Sequence, residues 1–141
     1  MAPTTSAESR ALMVRITAEI WDRGRVDLVD ELIAEDLVDH IEQAGLEGTG
    51  RERYRNSVVA MRTGFPDYAN PIDLVVAEDD LAVSHGRMTG THTGDLMGLP
   101  PTGRTIDVPT IGILRFANGR AVERWGVADN MTMMQQLGVL G

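Results

Sequence analysis

Gly90–Arg104 reads GTHTGDLMGLPPTGR, with glycine at 90, 94, 98 and 103, proline at 100 and 101, and one histidine, His92. Glycine and proline disfavour helix interiors, and proline fixes φ, so this stretch is not a helix. It is a shaped connector between two strands. Before it, Leu81–Thr91 reads as a strand with two faces. Leu81, Val83, His85, Arg87 and Thr89 point one way; Ala82, Ser84, Gly86, Met88 and Gly90 point the other. Alternation alone leaves open which set faces inward. After the connector, Thr105–Phe116 is a long strand, Asn118-Gly119 a hairpin turn, and Ala121–Val127 the antiparallel return. Upstream, Pro71–Glu78 alternates Ile72, Leu74 and Val76, and Asp79-Asp80 turns the chain into Leu81.

The first half is helical instead. From Thr4 to Asp22, Leu12, Ile16 and Ile20 fall at four-residue spacing, with Met13 and Trp21 widening the stripe. Thr5 and Ser6 are candidate N-caps, Glu8 lies in the first turn, and Gly24 stops the helix. A short helix covers about Val26–Ile33, an extended piece Leu37–Ile41, a loop Gly45–Gly50 and a third helix about Arg51–Arg62. Phe65-Pro66-Asp67-Tyr68 breaks that helix, because the residues before a proline are pushed out of helical geometry. Asn130–Leu137 is a last short helix, stopped by Gly138. Helices first, then a meander of about four strands, then a helical tail specify an α+β fold. The expectation is a cone-shaped, curved antiparallel sheet packed against three N-terminal helices, with a pocket inside. Residues 1–8 are expected as a disordered leader and 9–141 as a single domain.

Composition narrows the function. The 141 residues carry 21 Asp+Glu against 13 Lys+Arg, a net charge of −8, which argues against nucleic acid and anionic membranes as partners. The absence of cysteine excludes disulfides, thiolate metal sites and cysteine nucleophiles. No apolar run approaches a membrane span and no signal peptide is legible, so a cytoplasmic location is expected. A neutral or apolar small molecule, or another protein, is left as partner.

Few chemistries remain. His40, His85 and His92 do not cluster as metal ligands, and no phosphate-binding fingerprint or nucleophile elbow is present. General acid/base catalysis is open. Asp129 leads: it follows Glu123, Trp125 and Val127 at two-residue spacing, and a carboxylate beside Trp125 would be desolvated and its pKa raised. Asp129 reads equally as the N-cap of the last helix, and the two roles are compatible. His92 is either a second catalytic group or a hydrogen-bonding pin for the glycine loop. Trp21, His40, Met61, His85, Arg87, Arg115 and Trp125 are the candidate substrate-binding residues.

FPDY (Phe65–Tyr68), GTHTGDLMGLPPTGR and NGRAVERWGVADNMTMMQQLG (Asn118–Gly138) together resemble the SnoaL-like polyketide cyclase family of the nuclear transport factor 2-like superfamily. The resemblance runs from about Val14 to Gly138. It implies an α+β cone with a deep hydrophobic cavity, assembled as a homodimer or homotetramer. It further implies a hydrophobic, polyketide-like substrate closed into a ring by intramolecular aldol condensation with no cofactor and no metal. The family's proton-transferring aspartate falls on Asp129. The chain departs from the family's cyclases at Ile113-Leu114-Arg115, where they carry a histidine; Arg115 could steady an enolate but cannot shuttle protons. Other chemistries that the resemblance leaves open are a cofactor-independent hydroxylase or isomerase, and a non-catalytic binding or assembly module.

Overall fold

The computed structural model describes residues 2–43 and 45–140. Met1 of the expected leader, and Ala44 and Gly141 of the expected domain, lie outside them. Helix α1 spans Ser6–Arg15, so Ser6–Glu8 form its first turn. Thr5 is its N-cap: the Thr5 hydroxyl oxygen accepts the Glu8 N–H at 3.2 Å, and the Glu8 carboxylate accepts the Thr5 N–H at 3.3 Å. The chain continues without a break into a wider π-helical segment, Ile16–Asp22, and Gly24 ends it at φ +70. The wider turn buries Ile16 and Ile20 and brings Trp21 onto the core clusters. A 3-10 turn at Val26–Leu28 leads into α2 (Val29–Leu32), and α3 spans Gly50–Gly64.

Five strands follow the expected order with one addition. They are β1 (Ile33–Asp39), β2 (Ile72–Glu78), β3 (Leu81–Thr91), β4 (Thr105–Ala117) and β5 (Arg120–Ala128), in the spatial order β1-β5-β4-β3-β2. The β2–β5 meander is antiparallel, as expected, and the added strand β1 lies parallel to β5 at the edge of the sheet. A parallel pair needs a long crossover; here it is everything from α3 to β4. Register shifts at β1, at Ile72/Leu74 and at Arg115/Phe116 supply the local bends that increase twist. Helix α4 (Asn130–Leu137) closes the chain, with Gly138 in the left-handed conformation at its end.

The helices cover one face of this sheet. On it lie Ala82, Met88, Ile106, Val108, Leu114 and Phe116, all buried. Two apolar clusters form there. One joins α1, α2, β1 and the far end of the meander through Met13, Ile16, Leu32, Val58 and Phe116. The other joins Phe65, Leu96, Met88, Val108, Met133 and Leu137 beneath α4 and the glycine-rich connector. Trp21 packs against both. The opposite face is bare: Leu74, Val76, Ile111 and Val127 are exposed, Val127 to 71%.

The connector owes its shape to close backbone approach. A Cβ at Gly90 would sit 2.9 Å from Phe65 Cβ, and one at Gly94 would overlap the Thr63 carbonyl oxygen. The Asp67 carboxylate accepts the Thr91 N–H at 2.7 Å and the Thr91 hydroxyl at 2.8 Å. The FPDY and GTHTG segments therefore interlock, one supplying acceptor and ring, the other glycines and donors. Leu96 and Leu99 pair by two backbone hydrogen bonds across Met97-Gly98, burying Leu96 as a plug.

Candidate functional site

Between the two apolar clusters, the helix-covered face carries small side chains. Ser84, Gly112 and Gly126 lie side by side across β3, β4 and β5, and Gly86, Thr110 and Ala128 form the next row. Glycine inside a strand marks a bulge or close approach. At Gly126 the approach is by Ile41, whose Cδ1 lies 2.9 Å from the Cβ position; at Gly112 only Ser84 Oγ comes within 4 Å, at 3.5 Å. Room is thus left above Gly112; in the next row a Cβ at Gly86 would sit 2.5 Å from the Pro71 carbonyl oxygen and 2.7 Å from Asn70 Oδ1.

Aromatic and charged groups border that room. Trp21 Nε1–H donates to Tyr54 Oη at 2.7 Å, and the Trp21 ring lies 5.8 Å from both the Tyr54 and Tyr68 rings. Arg124, one row from Gly126, sets its guanidinium 4.8 Å from the Tyr54 centroid and 5.5 Å from the Trp21 centroid. Its Nη1 donates to Asp39 Oδ2 at 3.2 Å; Asp39 Oδ1 accepts the Ile41 N–H at 3.0 Å. The Asp39 side chain is 4% exposed and that of Arg124 17%, so this ion pair is largely shielded from solvent. Cation–π contact adds about 0.5–2 kcal/mol per desolvated pair. Among the described residues no further acceptor engages Arg124 Nε or Nη2. Burial pushes the Tyr54 and Tyr68 phenols above the ordinary value, so both stay protonated donors.

At one end of the room, Asp22 Oδ1 accepts the Asn70 N–H at 2.7 Å, and Asn70 Oδ1 accepts the Thr110 hydroxyl at 3.4 Å. Burial pushes the Asp22 carboxyl above the usual carboxylate range, against the pull of the Asn70 N–H and of Arg62. Arg62 spends its Nη1 on the carbonyls of Trp21, Asp22 and Tyr68, tying the π-helical segment to the Tyr68 loop.

The candidates of the sequence divide between the two faces. Trp21 lines the helix-covered side, and Met61 packs into the cluster beneath it. Trp125, His40, Arg115, His85 and Arg87 lie on the bare face. There the His40 ring stacks on Trp125 at 5.0 Å, and Glu123 takes His40 Nε2 at 2.7 Å and Arg115 Nε at 3.4 Å. Arg115 also pairs with Asp80, Arg87 with Asp107 at 3.2 Å, and His85 stands 3.9 Å from Asp73. The expected grouping of Trp125, His40 and Trp21 around one pocket is thus not what the fold builds. Glu123, Trp125 and Val127 do share a face, but β5 turns it outward.

Asp129 leaves β5 at ψ 77 and caps α4: its Oδ1 accepts the Thr132 N–H at 3.0 Å and its Oδ2 the Thr132 hydroxyl at 2.6 Å. It is exposed, and those two donors hold its carboxyl below the usual range. The expected desolvation and raised pKa are therefore corrected in sign. His92 is fully buried between Phe65 and Thr102. Its Nδ1 accepts the Thr102 N–H at 3.2 Å, which places the proton of the neutral ring on Nε2; that atom has no partner among the described residues. Its place is that of a pin for the connector.

Asp22, Asp39, Tyr54, Tyr68, Asn70, Thr110 and Arg124 were not among the sequence candidates. The usable signal was Gly86, Gly112 and Gly126 inside strands, which mark the face that another element approaches, and Arg124 alternates with Gly126.

A five-stranded sheet covered by helices on one face, with Trp21, Tyr54 and Arg124 packed together on that side, defines an α+β fold. The chain belongs to the SnoaL-like polyketide cyclase family, whose model matches residues 11–137. It is 26% identical over 131 residues to the aklanonic acid methyl ester cyclase DauD of Streptomyces sp. (strain C5), covering 89% of this chain and 80% of that one. The fold matches IdmH of Streptomyces antibioticus, described as a candidate polyketide cyclase, with a TM-score of 0.78 and 31% identity over 92% of this chain and 98% of that one. It also matches AclR of Streptomyces galilaeus, described as a candidate hydroxylase, at a TM-score of 0.83 and 26% identity over 96% and 84%.

Proposed function

We propose that this protein closes a ring in a hydrophobic, polyketide-like substrate by cofactor-independent acid/base catalysis on the helix-covered face of its sheet. The observation that carries this reading is Arg124, a half-buried cation held by Asp39 against Trp21 and Tyr54. In a water-poor site, a preorganised cation stabilises the negative oxygen that develops when a carbon beside a carbonyl loses its proton. That role, which the sequence offered to Arg115, suits Arg124. Asp129 is the proton acceptor of the proposal. Its lowered pKa makes it a weak base that is ionised at neutral pH, so the substrate carbon must be acidic, as between two carbonyls. The aromatic walls orient the chain for ring closure, which supplies most of an intramolecular reaction's advantage. A second copy of the chain on the bare apolar face completes the proposed assembly.

One observation favours a different reading, a binding module without catalysis: both Asp129 oxygens are already engaged by Thr132. Turnover separates the two. With aklanonic acid methyl ester as probe, chromatography should show conversion by the wild type. Asp129→Asn, which still caps a helix, should lower kcat on the order of 100-fold or more. Full activity of the variant would remove Asp129 from the mechanism; binding without conversion by the wild type would favour the module.

A further inference from the structure

The geometry points to Gly112 as the residue that sizes the substrate: the gap above it takes the edge of a flat ring, and the Ser84 hydroxyl beside it meets an oxygen on that ring. This rests on the reading above for the face of the sheet that takes substrate, and not on its chemistry. Strands β3 to β5 carry Gly86, Gly90, Gly112 and Gly126, all on the helix-covered face. A glycine inside a strand gives up packing and conformational restraint, so each position calls for a physical cause. Protein atoms supply it at three of them. A Cβ would sit 2.5 Å from the Pro71 carbonyl oxygen at Gly86, 2.9 Å from Phe65 Cβ at Gly90 and 2.9 Å from Ile41 Cδ1 at Gly126.

Gly112 has no such cause. A Cβ there would meet only Ser84 Oγ, at an ordinary 3.5 Å. Its φ is not positive, so the backbone does not demand glycine. No bulge falls on it either: its pairing with Ser84 on one side and Gly126 on the other runs in unbroken register. Close approach of a ligand is the remaining cause of a glycine within a strand. The surroundings suit one. On the same face Ala82 and Leu114 are buried to one side of this row, and Met88 and Val108 to the other, whereas Ser84, Thr110 and Gly112 are half-buried. Solvent thus reaches the middle of an inner face that is dry at both ends. Ser84 Oγ forms no hydrogen bond among the described residues and is not sealed from solvent. Ile41 stands over the neighbouring Gly126, and Asn70 over Gly86 in the next row, so protein bounds the gap on two sides. Strands lie roughly 4.8 Å apart, so a side chain missing from the middle strand opens a narrow slot, suited to the edge of a flat ring.

The test measures the Kd of 1,8-dihydroxyanthraquinone, whose three fused rings carry oxygens along both edges, together with Tm. The proteins compared are wild type, Gly112→Ala, Gly112→Val, Ser84→Ala and, as control, Ile111→Val, adjacent on β4 but facing outward. Both Gly112 variants should melt at or above the wild-type temperature, because a side chain restores what glycine gives up in a strand. Gly112→Val should weaken binding on the order of 10-fold or more, with Gly112→Ala between it and wild type, and Ser84→Ala should weaken it severalfold. Ile111→Val should stay within about threefold of wild type. A Gly112→Val protein that binds within about threefold of wild type overturns the inference, as does a wild type that does not bind the probe. A Gly112→Ala protein that melts below wild type overturns it too, since the fold itself then needs the glycine. If binding follows the expected gradation but wild type leaves aklanonic acid methyl ester unconverted, the subsite stands and the cyclase reading alone falls.

Discussion

Asp22 and Asp129 show how two identical side chains acquire opposite properties from their surroundings. Asp129, exposed at a helix start, receives two donors from Thr132. Asp22, half-buried beside Trp21, receives one. Their linkage to stability differs in sign. The lowered Asp129 pKa adds stability above the unfolded carboxyl value, and that contribution is lost as pH falls through the folded value. The raised Asp22 pKa does the reverse: its stability is fully present below the unfolded value and lost as pH rises through the folded one. Asp22→Asn should therefore raise Tm relative to wild type at pH 8, with the difference vanishing near pH 3, as followed by circular dichroism melts. A lower Tm at pH 8 would mean that the Asp22 charge is satisfied by the fold. Only part of this was legible in the sequence. The capping role of Asp129 follows from its place before a helix, but its solvation depends on which side of β5 the helices cover, and period-two alternation is blind to that. Asp22 carried no local signal, because the backbone N–H that holds its carboxylate belongs to Asn70, 48 residues away.

The glycine-rich connector governs the elements around it. His92 accepts the Thr102 N–H inside it, and Phe65 packs on the ring. His92→Ala removes a buried ring and leaves a buried donor unpaired, so it should cost on the order of 3 kcal/mol in urea unfolding. Gly94→Ala forces a methyl group into the Thr63 carbonyl and should destabilise by about 2 kcal/mol or more. A Gly94→Ala protein as stable as wild type would contradict the interlock of connector and FPDY turn. These elements were the most legible: β3 runs Leu81–Thr91 and α4 runs Asn130–Leu137, as glycine, proline and alternation indicate. The parallel pairing of β1 with β5 was not, since its partner lies more than eighty residues on, with Ile33 opposite Ala121. The π-helical widening at Ile16–Asp22 was also hidden, because four-residue apolar spacing suits an α-helix equally well.

At the scale of the molecule, the sheet separates two chemistries. The helix-covered face holds Trp21, Tyr54, Tyr68 and Arg124; the bare face holds Trp125 and His40 among exposed Leu74, Val76, Ile111 and Val127. This exposed apolar surface is where the proposed second copy of the chain would sit. Val127→Glu should convert a wild-type dimer or tetramer to monomer in size-exclusion chromatography with light scattering; a wild type that is already monomeric contradicts the assembly. The central claim, that substrate binds on the helix-covered face, can be read from the two tryptophans, which lie on opposite sides of the sheet. Their indole N–H signals, assigned with Trp125→Phe, can be followed by nitrogen–proton NMR as 1,8-dihydroxyanthraquinone is added. The account predicts that the Trp21 signal, hydrogen-bonded to Tyr54, shifts to saturation while that of Trp125 stays in place. Movement of Trp125 with Trp21 unchanged would contradict it.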